Sequence, residues 1–353
     1  MSTLEKYGTL FPTAVVGSMP RSDFVRELVL GDRPDPRALD RAVAYIVALQ
    51  ERAGLDILGD GEWRRASYIG VIAELAHGFE IGTSPDGRPW TVVTQKLEAK
   101  NPGFVAAETA FVKGLTGRLI KATLPSPGLL AERLWDAEKS ADAYPRREDF
   151  AAACVPFLRR EIELLRDAGA DLVQIDDPHL CLLVDPEVRA GYEDADAEAD
   201  LSAELVNQTV EGLEGVRLAL HLCRRAGARV RGEACHQGGY GPILPYLNRL
   251  KVHHLTMEFT AAGADDAEVF KALRDDFEIG LGVIDVQPGA VDAPEAVAAR
   301  VEVALRHLDP ARVVLNPDCG FAPGSAARVD MDEVYLKLKN QTRAAELLRR
   351  RHG

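Results

Sequence analysis

No run of eighteen or more apolar residues occurs in this sequence of 353 residues, and no apolar stretch stands behind a basic start in its opening segment, MSTLEKYGTLFPT. A membrane span and a secretory leader are therefore not expected, and the sequence predicts a cytoplasmic protein. Cysteine is scarce: five residues, an odd number, widely spaced. In a chain of this size that argues against a disulfide framework and for free thiols or metal ligands. No GxGxxG or Walker motif is present, which removes the usual phosphate-cradling loops. Positive charge is in deficit, 42 Lys and Arg against 55 Asp and Glu, and no basic stripe carries interleaved aromatics. Such a chain repels phosphate backbones, so nucleic acid is not an expected partner. The one basic cluster, Arg349, Arg350 and Arg351, falls in the last turn of a predicted C-terminal helix, where cations suit the helix dipole.

What is present is the composition of an enzyme that can bury a large core, 46% hydrophobic and 27% charged. Eight short, β-branched apolar runs stand at 13–16, 56–58, 119–123, 172–175, 217–220, 254–257, 278–283 and 313–315. Helical patterns separate most of them, at 36–53, 147–168, 200–213, 242–250, 267–275, 294–307 and 332–351. This alternation predicts an α/β fold, a (β/α)8 TIM barrel occupying 1–353 as a single catalytic domain. Gly54 and Gly169 each end a helix just before a strand, as left-handed caps do. The stretch 64–118 is too long for one helix and holds the turn signal Pro85-Asp86-Gly87-Arg88-Pro89, followed by strand-like residues 90–97. It predicts a β-excursion over the barrel mouth between strands 2 and 3. The acidic stretch 185–200 reads as a solvated loop and helix start.

Side chains at the C-terminal ends of barrel strands converge on one mouth, so the residues just after each apolar run matter most. Those positions are polar: Ser18, Asp60 and Glu62, Asp176 and Asp177, His221 and Cys223, Glu258, Asp285, then Asp318 and Cys319. His221 and Cys223, two apart on one strand, point the same way and can reach one metal ion. A lone His-x-Cys more often marks a buried cysteine beside a satisfied histidine. Here Glu258 and Cys319, at two other strand ends, supply the remaining donors of a tetrahedral zinc site.

Val16-Gly17-Ser18-Met19-Pro20, Gly54-Leu55-Asp56 with Gly61-Glu62, Gln174-Ile175-Asp176-Asp177-Pro178, His221-x-Cys223, Thr256-Met257-Glu258 and Asn316-Pro317-Asp318-Cys319-Gly320 appear in this order. As a set they resemble the motifs of the cobalamin-independent methionine synthase family, over nearly the whole chain, and specifically its catalytic C-terminal half. The resemblance implies Zn2+ on His221, Cys223, Glu258 and Cys319, with Ser18, Glu62 and Asp176 holding the amino-acid end of a homocysteine-like thiol. It also implies a small-molecule alkyl donor, 5-methyltetrahydrofolate or a methylcobalamin carrier. The chemistry is coherent, because a free thiol near pKa 8.5 is mostly protonated at neutral pH and zinc lowers that pKa.

Three departures from the family pattern stand out. The stretch between His221 and Glu258 is longer, with Cys235 and His236 in a glycine-rich segment read as a flexible loop. Asp285-Val286-Gln287 replaces an Asp-x-His motif, placing Asp285 and Gln287 where the family has a proposed proton donor. Leu124-Pro125-Ser126-Pro127 ends the third strand unlike the segment before the folate-stacking tryptophan. These lean toward shorter relatives, including an epoxide-opening coenzyme M transferase and cobalamin-linked methyltransferases. An acceptor without an ammonium group would call on Arg64 or Arg65 as anchors. A metal-free barrel decarboxylase of the uroporphyrinogen type and a non-catalytic carrier with closed structural zinc remain the alternatives. Cys154 and Cys181 read as core thiols, Trp63, Trp90 and Trp135 as packing or substrate-cover residues, and the oligomeric state stays open.

Overall fold

A computed structural model describes residues 3–31, 35–84, 89–225, 236–260, 264–322 and 329–353. Nine strands follow one another: β1 Ile57–Leu58, β2 Ala76–Thr83, β3 Pro89–Ala99, β4 Leu119–Pro125, β5 Leu172–Asp176, β6 Arg217–Leu222, β7 His254–Glu258, β8 Glu278–Ile284 and β9 Val313–Pro317. Seven form one parallel sheet in the order β1-β4-β5-β6-β7-β8-β9. The segment 13–14 bridges both of its edges, Ala14 to Ile57 and Thr13 to Leu315. Seven of the eight predicted strands are present as strands, and the first, expected at 13–16, is reduced to these two bridges, which close the ring of a (β/α)8 barrel.

The helices follow from local signals. The helix Pro36–Ala53 starts on Asp35, whose side chain accepts from Ala38 N, and ends at Gly54 with φ 94°; Gly169 repeats that left-handed conformation. The predicted helix 200–213 begins earlier, at Ala195, because Asp194 caps it through Asp196 N and Ala197 N. Two predicted helices are shorter than expected. Residues 242–250 break into a 3-10 turn Gly241–Ile243 and one α turn Leu244–Leu247, since Pro242 and Pro245 each remove a donor. In place of a helix at 267–275 there is 3-10 backbone over Ala264–Lys271. Ser126-Pro127, read as the end of a strand, also starts the helix Pro127–Leu134: Ser126 Oγ accepts from Leu129 N and Pro127 occupies the first turn.

The expected β-excursion is the antiparallel hairpin β2–β3, whose register shifts between His77 and Phe79. Its turn signal at 85–88 lies outside the described residues. No helix among the described residues is long and apolar enough to cross a membrane.

The C-terminal helix Met331–His352 lies against the seam of the ring. Gln341 Nε2 donates to Ala14 O at 3.0 Å and to Leu315 O at 2.8 Å, one carbonyl from either side of the closure. At the opposite end of the barrel from the mouth, Glu278 anchors the short helix Thr3–Tyr7. Tyr7 Oη donates to it at 2.7 Å, Lys6 Nζ at 3.3 Å, and His254 Nδ1 lies 2.6 Å away.

Burial pushes the Glu278 carboxyl upward, but the hydrogen bond and charge of His254, the charge of Arg217 and the Tyr7 hydroxyl outweigh it and hold the group at about 2. A carboxylate whose folded pKa lies below its unfolded value stabilises the fold above the unfolded value, and that contribution is lost as pH falls through the folded one. Between about pH 4.5 and 2 the loss should be on the order of 3 kcal/mol for this side chain, which is 1% exposed. His254, kept below its ordinary value chiefly by burial, adds a loss of the same sign on acidification. We expect Glu278→Gln to flatten the fall of the melting temperature over that range. A steep fall that persists in the variant would place the acid sensitivity elsewhere.

Candidate active site

Strand order brings the predicted site residues to one end of the ring. Ser18 follows the segment 13–14, Glu62 follows β1, Asp176 ends β5, His221 and Cys223 end β6, and Cys319 follows β9. All six line one cavity of about 540 Å3. The hairpin forms part of its wall through Trp90, Thr91 and Val92, so Trp90 is a cover residue. Trp63 and Trp135 instead pack, their indole N–H groups held by Met19 O and Tyr144 O.

Cys223 Sγ and Cys319 Sγ are 3.6 Å apart. With one ring nitrogen of His221 they form a group whose ligand atoms all lie within 4.8 Å of one another. His221 Nδ1 is 3.0 Å from Asp176 Oδ1, while its Nε2 is buried with no hydrogen-bond partner. A buried imidazole with one nitrogen held by a carboxylate and the other bare is how a metal-ligating histidine is presented. Burial disfavours the imidazolium, yet the hydrogen bond and charge of Asp176 raise the His221 pKa on balance. Cys223 is pushed well up by the Cys319 thiol, by burial and by the charge of Glu258. Two thiols and one imidazole gathered in one buried group are a donor set that fits zinc.

Glu258, the fourth predicted ligand, is not in this group of three. It is buried at the end of β7, where Oε2 accepts from Arg224 N at 2.5 Å and lies 3.5 Å from the Arg224 guanidinium. Asp285 and Gln287 are not among the cavity's lining residues. Gln287 N donates to Asp285 Oδ1 at 2.9 Å, and Gln287 O accepts from Lys337 of the C-terminal helix.

Glu62 occupies its place at a conformational cost. Its backbone is left-handed, φ 60°, which costs a non-glycine residue about 1–2 kcal/mol. Its Oε1 accepts from Thr123 Oγ1 at 2.9 Å. A Cβ on Gly17 would lie 2.7 Å from that oxygen, so a side chain there would displace the Glu62 carboxylate. Burial, opposed by the charge of Arg65, raises the Glu62 pKa. Ser18 Oγ accepts from Ala322 N at 3.3 Å beside the cavity.

The arginines considered as anchors are committed elsewhere. Arg64 pairs with Asp40 at 2.6 Å, and Arg65 pairs with Glu108 at 2.9 Å while donating to Thr123 O at 2.8 Å. Neither lines the cavity; Arg133 and Arg225 do. His236 also lines it, 3.2 Å from Asp185, whereas Cys235 lies outside the described residues. Cys154 and Cys181 are buried thiols outside any disulfide, as expected of the core.

Two lining residues had no signal in the sequence. Tyr68 follows the loop after β1, and its phenol is pushed up by burial and by the charges of Cys223, Asp176 and Cys319, which places it beside the metal-ligand group. His179 Nε2 is 2.6 Å from Glu198 Oε1, an ion pair that raises the imidazole against its burial.

The chain is 28% identical to the methionine synthase of Sulfurisphaera tokodaii, over 96% of this chain and 93% of that one. It is also 28% identical to the methionine synthase of Thermococcus kodakarensis, over 97% and 94% of the two chains. In three dimensions it is similar to a B12-independent methionine synthase from Shewanella sp. W3-18-1, solved in complex with selenomethionine. That likeness has a TM-score of 0.75 at 20% identity, covers 97% of this chain and 99% of the other, and shows the shared fold. Residues 11–347 match the family described as cobalamin-independent synthase, catalytic domain. Together with the barrel and its cavity, that match means that the chain belongs to the cobalamin-independent methionine synthase family, as a methyltransferase built on its catalytic barrel.

Proposed function

We propose that the whole chain acts as one catalytic unit that transfers a methyl group to the sulfur of homocysteine, using Zn2+ held by His221, Cys223 and Cys319. The observation that carries this reading is the bare, buried Nε2 of His221 beside two thiols 3.6 Å apart. Glu258, at the end of β7, would complete this set as a carboxylate donor. Bound zinc supplies a lowered thiol pKa with sulfur still nucleophilic. The remaining work belongs to the protein. Glu62 and Asp176 receive the ammonium group, Ser18 adds a hydroxyl at the same end, and Asp176 also keeps His221 in orientation. The donor, 5-methyltetrahydrofolate or a methylcobalamin carrier, approaches over the apolar side, past Trp90, Leu129 and Leu182. Asp285 and Gln287 enter as supports of the β8 end.

A metal-free decarboxylase has less support, because it leaves the gathered His221, Cys223 and Cys319 without a role. A closed structural zinc has less support too, because the three ligands line an open cavity. Zinc-edge X-ray absorption tests the reading. The purified protein should hold near one zinc per chain, and homocysteine should add a sulfur neighbour to the metal. Protein that is active without metal, or a metal whose neighbours ignore every thiol offered, would refute it.

A further inference from the structure

We propose that Lys121 is a positioning residue: it aligns the Gln174 amide, and through it the Asp176 carboxylate that orients His221. This rests on the reading of His221 as a metal ligand. Lys121 stands on β4, inside the ring, 4% exposed. Its Nζ donates to Gln174 Oε1 at 3.0 Å. The amide of Gln174 is completely used, with Thr256 Oγ1 donating to the same oxygen at 3.3 Å and Nε2 donating to Val16 O at 3.1 Å and to Asp176 Oδ1 at 2.7 Å.

The direction of this chain follows from what each group can do. A protonated Lys121 can only donate and an ionised Asp176 can only accept, so the amide between them turns its oxygen to the lysine and its N–H to the carboxylate. Thr256 cannot enforce this, because a hydroxyl suits either face of an amide; Val16 O, an acceptor only, enforces it at the N–H face and Lys121 at the oxygen face. Asp176, engaged by Gln174 from below, accepts from His221 Nδ1 and leaves Nε2 for the metal. Burial pulls the Lys121 ammonium down to about 7, against the charges of Asp176 and Glu62, which favour its protonated form. Charged hydrogen bonds in a dry interior reinforce one another, so the alignment is transmitted along the chain.

The sign of the effect separates alignment from charge alone. A bystander cation beside a metal site repels the metal, and removing it would tighten binding. Alignment predicts the opposite. Lys121→Met keeps the volume and removes the donor; in a chelator competition its zinc dissociation constant should rise about tenfold, the low end for hydrogen-bond partners of metal ligands. Gln174→Leu should lose as much or more. The double variant, which strands no buried donor, should lose no more than Gln174→Leu alone, because the lysine acts through that amide. If Lys121→Met does not fold, the comparison of Gln174→Leu with the double variant carries the test. Zinc held as tightly or more tightly by Lys121→Met, or losses that multiply in the double variant, overturn the proposal alone. A parent protein that retains no zinc overturns the metal reading and this proposal together.

Discussion

Replacing Cys223 or Cys319 by serine is expected to strip the protein of zinc and lower methyl transfer by roughly a thousandfold or more, with the barrel still folded. Both thiols stand just beyond strand ends, Cys223 after β6 and Cys319 after β9, and both line the cavity. The ring itself is held by the ladders between its strands, which neither side chain enters. A hydroxyl is a far poorer zinc donor than a thiolate. Metal analysis should therefore fall from near one zinc per chain toward zero while circular dichroism stays that of the parent. Either serine variant retaining full activity without metal would sink the assignment of these ligands.

Glu62→Gln and Asp176→Asn should both weaken homocysteine binding, but only the second should also loosen zinc. A buried ammonium that loses a carboxylate partner is destabilised by about 3–5 kcal/mol, which is roughly two to four orders of magnitude in affinity. Glu62 contacts Thr123 and reaches no metal ligand, so its variant should keep the metal. Asp176 accepts directly from His221, and losing that contact should weaken zinc binding about 10–100-fold as well. The KM for homocysteine, measured beside zinc affinity in the same two proteins, resolves the two roles. An unchanged KM in Glu62→Gln, with a large loss in Arg133→Ala instead, would favour an anionic thiol as acceptor.

The barrel was legible because each strand is a short β-branched run buried on both faces, and such runs differ sharply from the amphipathic helices between them. Ligand-type residues at strand ends were legible for a related reason: the fold collects them whatever their distance in sequence. Pairings made across the ring were not. Arg64 and Arg65 looked like available cations until Asp40 and Glu108 folded onto them. The place of Arg224 was hidden for the same reason, since nothing in the sequence sets its guanidinium against the Glu258 carboxylate. Lys121 shows the same limit from the other side. A lysine inside an apolar run reads as an interruption, and only the neighbouring strand reveals that Gln174 accepts its proton.

The seam of the ring has a consequence for how the protein is made. Ala14 is joined through its carbonyl to Gln341, 327 residues further along the chain. Its own amide donates to Leu315 of β9, the last strand to be synthesised. During translation the segment 13–14 can pair with β1 early, but its other edge has nothing to bind until β9 has emerged. An unpaired edge that persists through synthesis is an invitation to other strands. The nascent chain is therefore open to misassociation along the segment 13–14, and emergence of β9 and of the helix Met331–His352 closes that edge.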